Sequence, residues 1–341
     1  MKLDWKDISI VPSRISEISS RSEINCKING HLPLFTAPMD TVVDLNNASV
    51  FFDKMNVCLP RNIENVNMFC SFSLDKAEEL LISKNLPKKV LIDVANGNMR
   101  RLLELSKNIK DELGSEVELM IGNIANPETF EEYCKIGVDY VRCGIGGGSA
   151  CLTAQNVGIF YPMASLIYEC SEISTKYNRK TKIVADGGFR EYSEIIKALA
   201  VGADYVMIGG ILSKSIESCS PSFIKKGEEF LKITEEDSNS YFIEGGEVYK
   251  EYRGMSTKQV QKDWGKENIK TSEGIVKYNR VEYTFDSWIE NFEDYLKSFM
   301  SYTNSKCLDD FIGKVKIVEI SENSYKRFEK YFFLNREFEY S

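Results

Sequence analysis

Residues 182–210 read Lys-Ile-Val-Ala-Asp-Gly-Gly-Phe-Arg-Glu-Tyr-Ser-Glu-Ile-Ile-Lys-Ala-Leu-Ala-Val-Gly-Ala-Asp-Tyr-Val-Met-Ile-Gly-Gly. An apolar run over 182–185 ends at Asp186-Gly187-Gly188. A helical stripe follows at Tyr192, Ile195, Ile196 and Leu199, spaced i, i+3, i+4, i+7. The helix stops at Gly202, and a second apolar run over 204–208 closes on Gly209-Gly210. The same rhythm extends backwards, with strands expected at 33–37, 55–59, 68–72, 89–95, 117–121 and 139–143. Gly114 and Gly137, like Gly202, stand where a helix takes a left-handed C-cap. Eight such units favour an α/β fold of the (β/α)8 TIM barrel type over a doubly wound sheet.

The expected strands also end alike, at Asp40-Thr41, Asp93-Val94-Ala95-Asn96-Gly97, Gly122-Asn123, the glycine loop 144–149, Asp186-Gly187-Gly188 and Gly209-Gly210. A barrel gathers these ends on its C-terminal rim, where such folds hold their sites. The glycine loop stands out, because Gly144-Ile-Gly-Gly-Gly-Ser-Ala-Cys151-Leu-Thr153 delivers a thiol on backbone free to close on a ligand. Such a thiol can be an exposed nucleophile. Cys143, within the preceding strand, reads as core, and so does the stripe over 288–300. Residues 214–280 break the rhythm. A strand-like pair is expected around 241–252, followed by Arg253-Gly254-Met255-Ser256 and a polar, lysine-rich stretch to Glu273-Gly274. This reads as a rim insertion, an inserted hairpin and mobile flap on a single barrel domain spanning 1–341, with 281–341 as a C-terminal helix and tail. Arg253 by itself is open to a solvated-charge reading.

At 341 residues and 43% hydrophobic composition the chain can bury a large core. A net charge of −8 argues against nucleic acid as a partner. No run approaches the roughly 18 apolar residues of a membrane span, and no signal peptide is visible, so a cytoplasmic protein is expected. Nine scattered cysteines without a CxxC pair fit reduced thiols, neither a disulfide frame nor a zinc site. With one histidine, His31, most Ser-His, Cys-His and metal-histidine chemistries are removed. Acid–base work falls to carboxylates, hydroxyls, Lys or Tyr.

The glycine loop with Cys151 and Thr153, then Ala185-Asp-Gly-Gly188, Met207-Ile-Gly-Gly210 and Glu251-Tyr-Arg-Gly-Met-Ser256, resemble the IMP dehydrogenase/GMP reductase family. The likeness runs from Leu3-Asp4-Trp5-Lys6-Asp7 through Ser20-Arg21-Ser22-Glu23 to Ser272-Glu273-Gly274. Three features resemble the reductase branch: no CBS modules interrupt the strands, Asp93-Val94-Ala95-Asn96-Gly97 is typical of it, and the segment from Met255 to Glu273 is short and lacks the dehydrogenases' water-activating Arg-Tyr pair.

The resemblance implies an oxidoreductase that converts GMP to IMP and ammonia with NADPH. Cys151 would attack purine C2, with Thr153 and Glu273 behind it protonating the departing amine. It further implies phosphate contacts at Ser149, Gly187, Gly188, Gly209 and Gly210, ribose contact at Asp186, and base contacts near Gly254, Met255, Ser256, Glu273 and Gly274. NADPH would meet Ser20, Arg21, Arg61, Asp93, Val94, Ala95, Lys270, Ser301, Tyr302, Thr303 and Asn304, the last group coming from a neighbouring subunit of a homotetramer. Backbone carbonyls of Gly144, Gly146 and Cys151 would hold a monovalent cation, K+. The alternatives are an IMP dehydrogenase using NAD, and a non-catalytic purine-nucleotide-binding relative. The chain departs from the family pattern at Gly147 for Pro, Ala154 for a basic residue, Pro38 for Asn, Met163 for Gln, Pro60 for His and Lys270 for Arg.

Overall fold

The computed structural model describes residues 1–255, 257–263 and 274–327. Eight parallel strands close into a barrel: β1 (Leu32–Thr36), β2 (Met55–Asn56 and Cys58–Leu59, interrupted by Val57), β3 (Phe69–Phe72), β4 (Lys89–Asp93), β5 (Glu118–Ile124), β6 (Tyr140–Cys143), β7 (Lys182–Asp186) and β8 (Tyr205–Ile208). Each strand pairs with the next, and β8 pairs back onto β1 through Val206 with Leu34 and Met207 with Phe35. All eight expected strands are present within one residue at each end, except that β4 ends two residues early and β5 runs three residues further.

Closure has one weak place. The β1–β2 ladder shifts register, and side chains stitch it. The fully buried Thr36 hydroxyl accepts from Cys58 N (3.0 Å) and donates to Cys58 O (3.1 Å). Asn56 Nδ2 adds a longer contact of 3.4 Å to Leu34 O.

Helices return the chain between strands: α1 (Ala48–Phe52), α2 (Leu74–Ile82), α3 (Arg100–Leu113), α4 (Pro127–Ile136), α5 (Thr153–Val157), α6 (Met163–Lys176) and α7 (Tyr192–Val201). Their ends carry ordinary signals. Ser73 caps α2 by accepting from Lys76 N, and Asn126 with Pro127 starts α4, which ends at Gly137 with φ 82°.

Inward-facing residues alternate along each strand, so the barrel fills in layers. Phe35, Phe69, Tyr140 and Tyr205 meet across the interior, with centroids 5.0–5.9 Å apart. Phe69, Tyr140 and Tyr205 open their strands, so this aromatic plug fills the N-terminal end. Two residues beyond Tyr140, on the same face of β6, comes Arg142. The opposite end of the interior is therefore ionic.

Between β8 and residue 285 the chain builds a second, antiparallel sheet from β9 (Ser222–Lys226), β10 (Glu229–Ile233), β11 (Val248–Arg253) and β12 (Val276–Arg280), in the order β10-β9-β11-β12. The strand expected around 241 is instead part of α8 (Glu235–Ile243), capped by Thr234, whose hydroxyl accepts from Asp237 N. Three acids in its first turn complement the helix dipole. The hairpin lies earlier, at β9–β10 around Gly227. α9 (Phe285–Tyr302) then packs Trp288, Ile289, Phe292, Leu296 and Met300 into the core, as the stripe predicts. Ile8–Ile10 pairs with Ile317–Glu319, joining the two ends of the described chain.

Removing the seam hydroxyl tests the closure. Thr36→Val leaves the Cys58 N–H and C=O buried without a partner and is expected to cost about 2–4 kcal/mol in urea unfolding. Thr36→Ser, which keeps the hydroxyl, is expected to retain most of the stability. A Thr36→Val loss under about 1 kcal/mol would remove the seam's structural role.

Candidate active site

The C-terminal ends of the strands surround a cavity of about 240 Å³ that holds the glycine loop, Cys151, Thr153, Asp93, Arg61, Asn123, Asp186 and Met255 among its walls. Its floor is the ionic layer. Arg142 is 6% exposed and spans the interior, with Nη1 2.6 Å from Asp93 Oδ1 and Nη2 and Nε 2.8 and 3.1 Å from Asp186 Oδ2. Burial opposes the Arg142 charge. Asp186 and then Asp93 more than offset that, and hold the guanidinium above its ordinary pKa. Asn123 Nδ2 also donates to Asp186 Oδ2 (2.7 Å) and to Gly144 O (2.8 Å). All three donors use one carboxylate oxygen, so Asp186 Oδ1 is the atom left to a ligand among the described residues. Arg61 donates to the Asp93 carbonyl and lies 3.6 Å from Asp93 Oδ2, on the same wall as Val94 and Ala95.

The close packing of this floor explains two glycines. A Cβ at Gly122 would lie 2.4 Å from the Arg142 Cβ. At Gly144 the backbone has φ 139°, and a Cβ would come within 2.1 Å of the Asp186 carbonyl. Neither position admits a side chain without displacing the Asp186 strand end or Arg142.

The half-buried Cys151 thiol donates to Thr153 Oγ1 at 3.3 Å, and Thr153 opens α5. The inserted sheet holds this loop in place. Cys151 pairs with Gly274, Ile275 N donates to Ala150 O (3.1 Å), and Gly254 N donates to Ile275 O (3.0 Å). Arg253 is no solvated charge: its guanidinium makes a two-point ion pair with Asp40, with Nε 3.2 Å from Oδ1, and ties β11 to the rim beyond β1. Its neighbour Tyr252 is buried over Gly209 and Gly210, which pushes its hydroxyl up to about 12.

The structure thus brings together Ser149, Cys151, Thr153, Asp186, Gly187, Gly188, Gly209, Gly210, Gly254, Met255, Arg61, Asp93, Val94 and Ala95 around one cavity. Gly146 lines it too, and Gly274 adjoins it through Cys151. Ser256, Lys270 and Glu273 lie outside the described residues. Ser20, Arg21, Ser301, Tyr302, Thr303 and Asn304 do not line it. Ser301 and Asn304 lie where the 13–17 segment meets the end of α9: Asn304 Oδ1 accepts from Glu17 N, and Ser16 Oγ donates to Ser301 O. Sequence reading missed Arg142 as a site residue and took Asn123 only as a strand-end residue. A lone arginine in an otherwise apolar buried strand was the available signal, since such a charge requires partners.

A family model described as IMP dehydrogenase / GMP reductase domain matches residues 73–329. The chain belongs to the IMP dehydrogenase/GMP reductase family. Its similarity to individual members is modest but extends over nearly all of both chains. It is 27% identical to GMP reductase 2 of Mus musculus, over 95% of this chain and 93% of that one. It is 29% identical to a GMP reductase of Buchnera aphidicola, over 94% and 95% respectively. Within the family fold, the barrel strands supply the ionic floor and the insertion supplies the wall behind the thiol. Among the described residues, no helix is long and apolar enough to cross a membrane.

The floor makes a prediction of its own. Arg142→Met leaves two buried carboxylates without their shared cation and is expected to destabilise the protein by about 3–5 kcal/mol in denaturant unfolding. Arg142→Lys keeps the charge but not the fork that reaches both acids, and is expected to fall between that variant and the parent. Near-parental stability of Arg142→Met would show that the bridge is dispensable.

Proposed function

We propose that this protein is a GMP reductase-like oxidoreductase that converts GMP, or a closely related purine nucleotide, to IMP and ammonia with NADPH. The observation that carries the reading is the pairing of the Cys151 thiol with Thr153 Oγ1 at 3.3 Å, in the cavity that also holds Asp186 and the glycine turns of β7 and β8. The relatives named GMP reductase support it.

In this reading the nucleotide 5′-phosphate sits on backbone amides near Ser149, Gly187, Gly188, Gly209 and Gly210, and Asp186 Oδ1 accepts the ribose hydroxyls. Cys151, as thiolate, attacks C2 of the purine, and a sulfur–carbon bond forms. The bond from C2 to the amino group breaks, and its electron pair leaves with the nitrogen. A neutral amine is a poor leaving group, so it must be protonated as it departs. In this reading Thr153, 3.3 Å from the thiol sulfur, passes that proton, with Glu273 as its source. Hydride addition at C2 followed by breakage of the sulfur–carbon bond returns the Cys151 thiolate and gives IMP. A bound NADPH supplies the hydride. Arg61, Asp93, Val94 and Ala95 form the wall that would hold its nicotinamide end, and the cavity there is continuous with Cys151. The two-point hold of Arg142 and the Asn123 amide keep Asp186 turned for the ribose. A cation on the carbonyls of Gly144, Gly146 and Cys151 belongs to the same reading and carries no step.

The reading also takes residues 1–341 as one barrel domain, 214–280 as the inserted flap on its rim and 281–341 as the closing helix and tail. It takes the enzyme as a cytoplasmic homotetramer, with Ser20, Arg21, Ser301, Tyr302, Thr303 and Asn304 serving the far end of the cofactor and Lys270 its phosphates.

Absorbance of the reduced cofactor tests it directly. GMP with NADPH is expected to consume the cofactor, and IMP with NAD is expected to leave absorbance flat. Cys151→Ala should lower the rate by about a thousandfold or more while GMP still binds. Production of reduced cofactor from IMP, or a Cys151→Ala rate near the parent's, would overturn the mechanism.

A further inference from the structure

A second cavity, of about 760 Å³, adjoins the first, and Ser149, Phe189 and Gly210 line both. Its character differs. Five cationic side chains, Lys6, Arg190, Lys197, Lys214 and Lys277, stand in its walls against the carboxylates of Glu191 and Glu194. Several of the five are already engaged. Lys197 Nζ donates to Trp5 O (2.8 Å), Lys6 lies over the Tyr325 ring, and Lys214 pairs with Glu282 (2.9 Å). Glu194 accepts from the Arg190 backbone N–H, and no carboxylate among the described residues lies within ion-pair distance of the Arg190 guanidinium.

Lys277 is the informative member. It comes from β12 of the inserted sheet, is half-buried, and reaches the phosphate motif itself, with Nζ 3.3 Å from Ser149 Oγ and 5.3 Å from the centre of the Tyr252 ring. No carboxylate among the described residues pairs with it. Burial, then the like charges of Lys214 and Arg190, lower its pKa. The like charges of Lys277, Lys214 and Arg190 repel one another, and an anion between them would relieve that repulsion. The backbone amides expected to hold a single 5′-phosphate do not need this cluster.

We propose that this second cavity is a polyphosphate subsite, so that purine nucleotides carrying more than one 5′-phosphoryl group bind more tightly than the monophosphate that is turned over. The proposal rests on the purine-nucleotide reading for the position of the first phosphate. A chain leaving that phosphate past Ser149 and Gly210 enters the space between Lys277, Arg190 and Lys214, and its second phosphoryl group makes the charge-assisted contacts that Lys277 and Arg190 lack among the described residues. Lys277 is the gatepost, because it touches both cavities.

Calorimetric titration of the full chain in magnesium-free buffer, with GMP, GDP and GTP and with inorganic phosphate and pyrophosphate as purine-free probes, tests this. GDP is expected to bind about tenfold tighter than GMP, and pyrophosphate tighter than phosphate. Both gaps should shrink to about twofold in Lys277→Met and in Lys277→Gln, with circular dichroism reporting an unchanged fold. If GMP binds as well as GDP, or if the gap survives both substitutions, the subsite is overturned while the purine reading stands. If no guanine nucleotide binds but pyrophosphate still depends on Lys277, the subsite stands and the purine reading falls. If no nucleotide binds and pyrophosphate is no better than phosphate, both fall.

Discussion

A guanidinium held between two carboxylates in the mouth of the barrel is the contact around which the site is arranged. Arg142 belongs to β6, Asp186 to the neighbouring β7, and Asp93 to β4 on the other side of β5, so one side chain links three strands through the interior. Removing these charges from water is expensive, and their mutual attraction repays the cost only with good geometry and further hydrogen bonds. Asn123 supplies one of those bonds, and Arg61 braces Asp93 from the outer side. The arrangement also constrains the backbone, because the glycines at 122 and 144 leave room for Arg142 and for the Asp186 carbonyl. An aromatic plug at one end and an ionic layer at the other divide the barrel. The first only fills space, while the second also presents a fixed carboxylate oxygen to whatever enters.

The thiol is positioned from two sides. The barrel provides the loop and the start of α5, and the inserted sheet provides the wall: Gly274 beside Cys151, Ile275 on Ala150, and Gly254 on Ile275. The Arg253–Asp40 ion pair and the buried Tyr252 fasten that wall to strand ends on the far side of the rim. A shift of the insertion would therefore move Cys151 and the cavity roof together.

How far the sequence could be read depended on whether the determining contacts were local. The barrel strands were legible because each is an apolar run closed by glycine or a short polar residue, and the helices because their caps lie within a few residues. The β9–β10 hairpin was not, because β10 is exposed along most of its length and Lys225, Lys226 and Glu229 hide any alternation. α8 was misread because Tyr241, Phe242 and Ile243 look like strand residues at its end. The better signal was Thr234 followed by Glu235, Glu236 and Asp237. The Cys151 loop was legible as a motif. Arg142 was not, since its partners lie 44 and 49 residues away. The pairing of Arg253 was hidden for the same reason, its partner being 213 residues away.

The seam at Thr36 has a bearing on how the chain comes to be folded at all. β1 is made well before one of its neighbours: the strand on one of its sides, β8, ends at Ile208, and the ladder on its other side is broken at Val57. Until some 170 further residues have emerged, Leu32–Thr36 is an apolar strand with one edge unpaired and the other stitched by a hydroxyl. The N-terminal Ile8–Ile10 waits longer still, for Ile317–Glu319. Long loops must close before either pairing is rewarded. Leu32–Thr36 therefore keeps one edge open until the chain through Ile208 is available, and an apolar strand edge left open in this way can pair with the wrong partner.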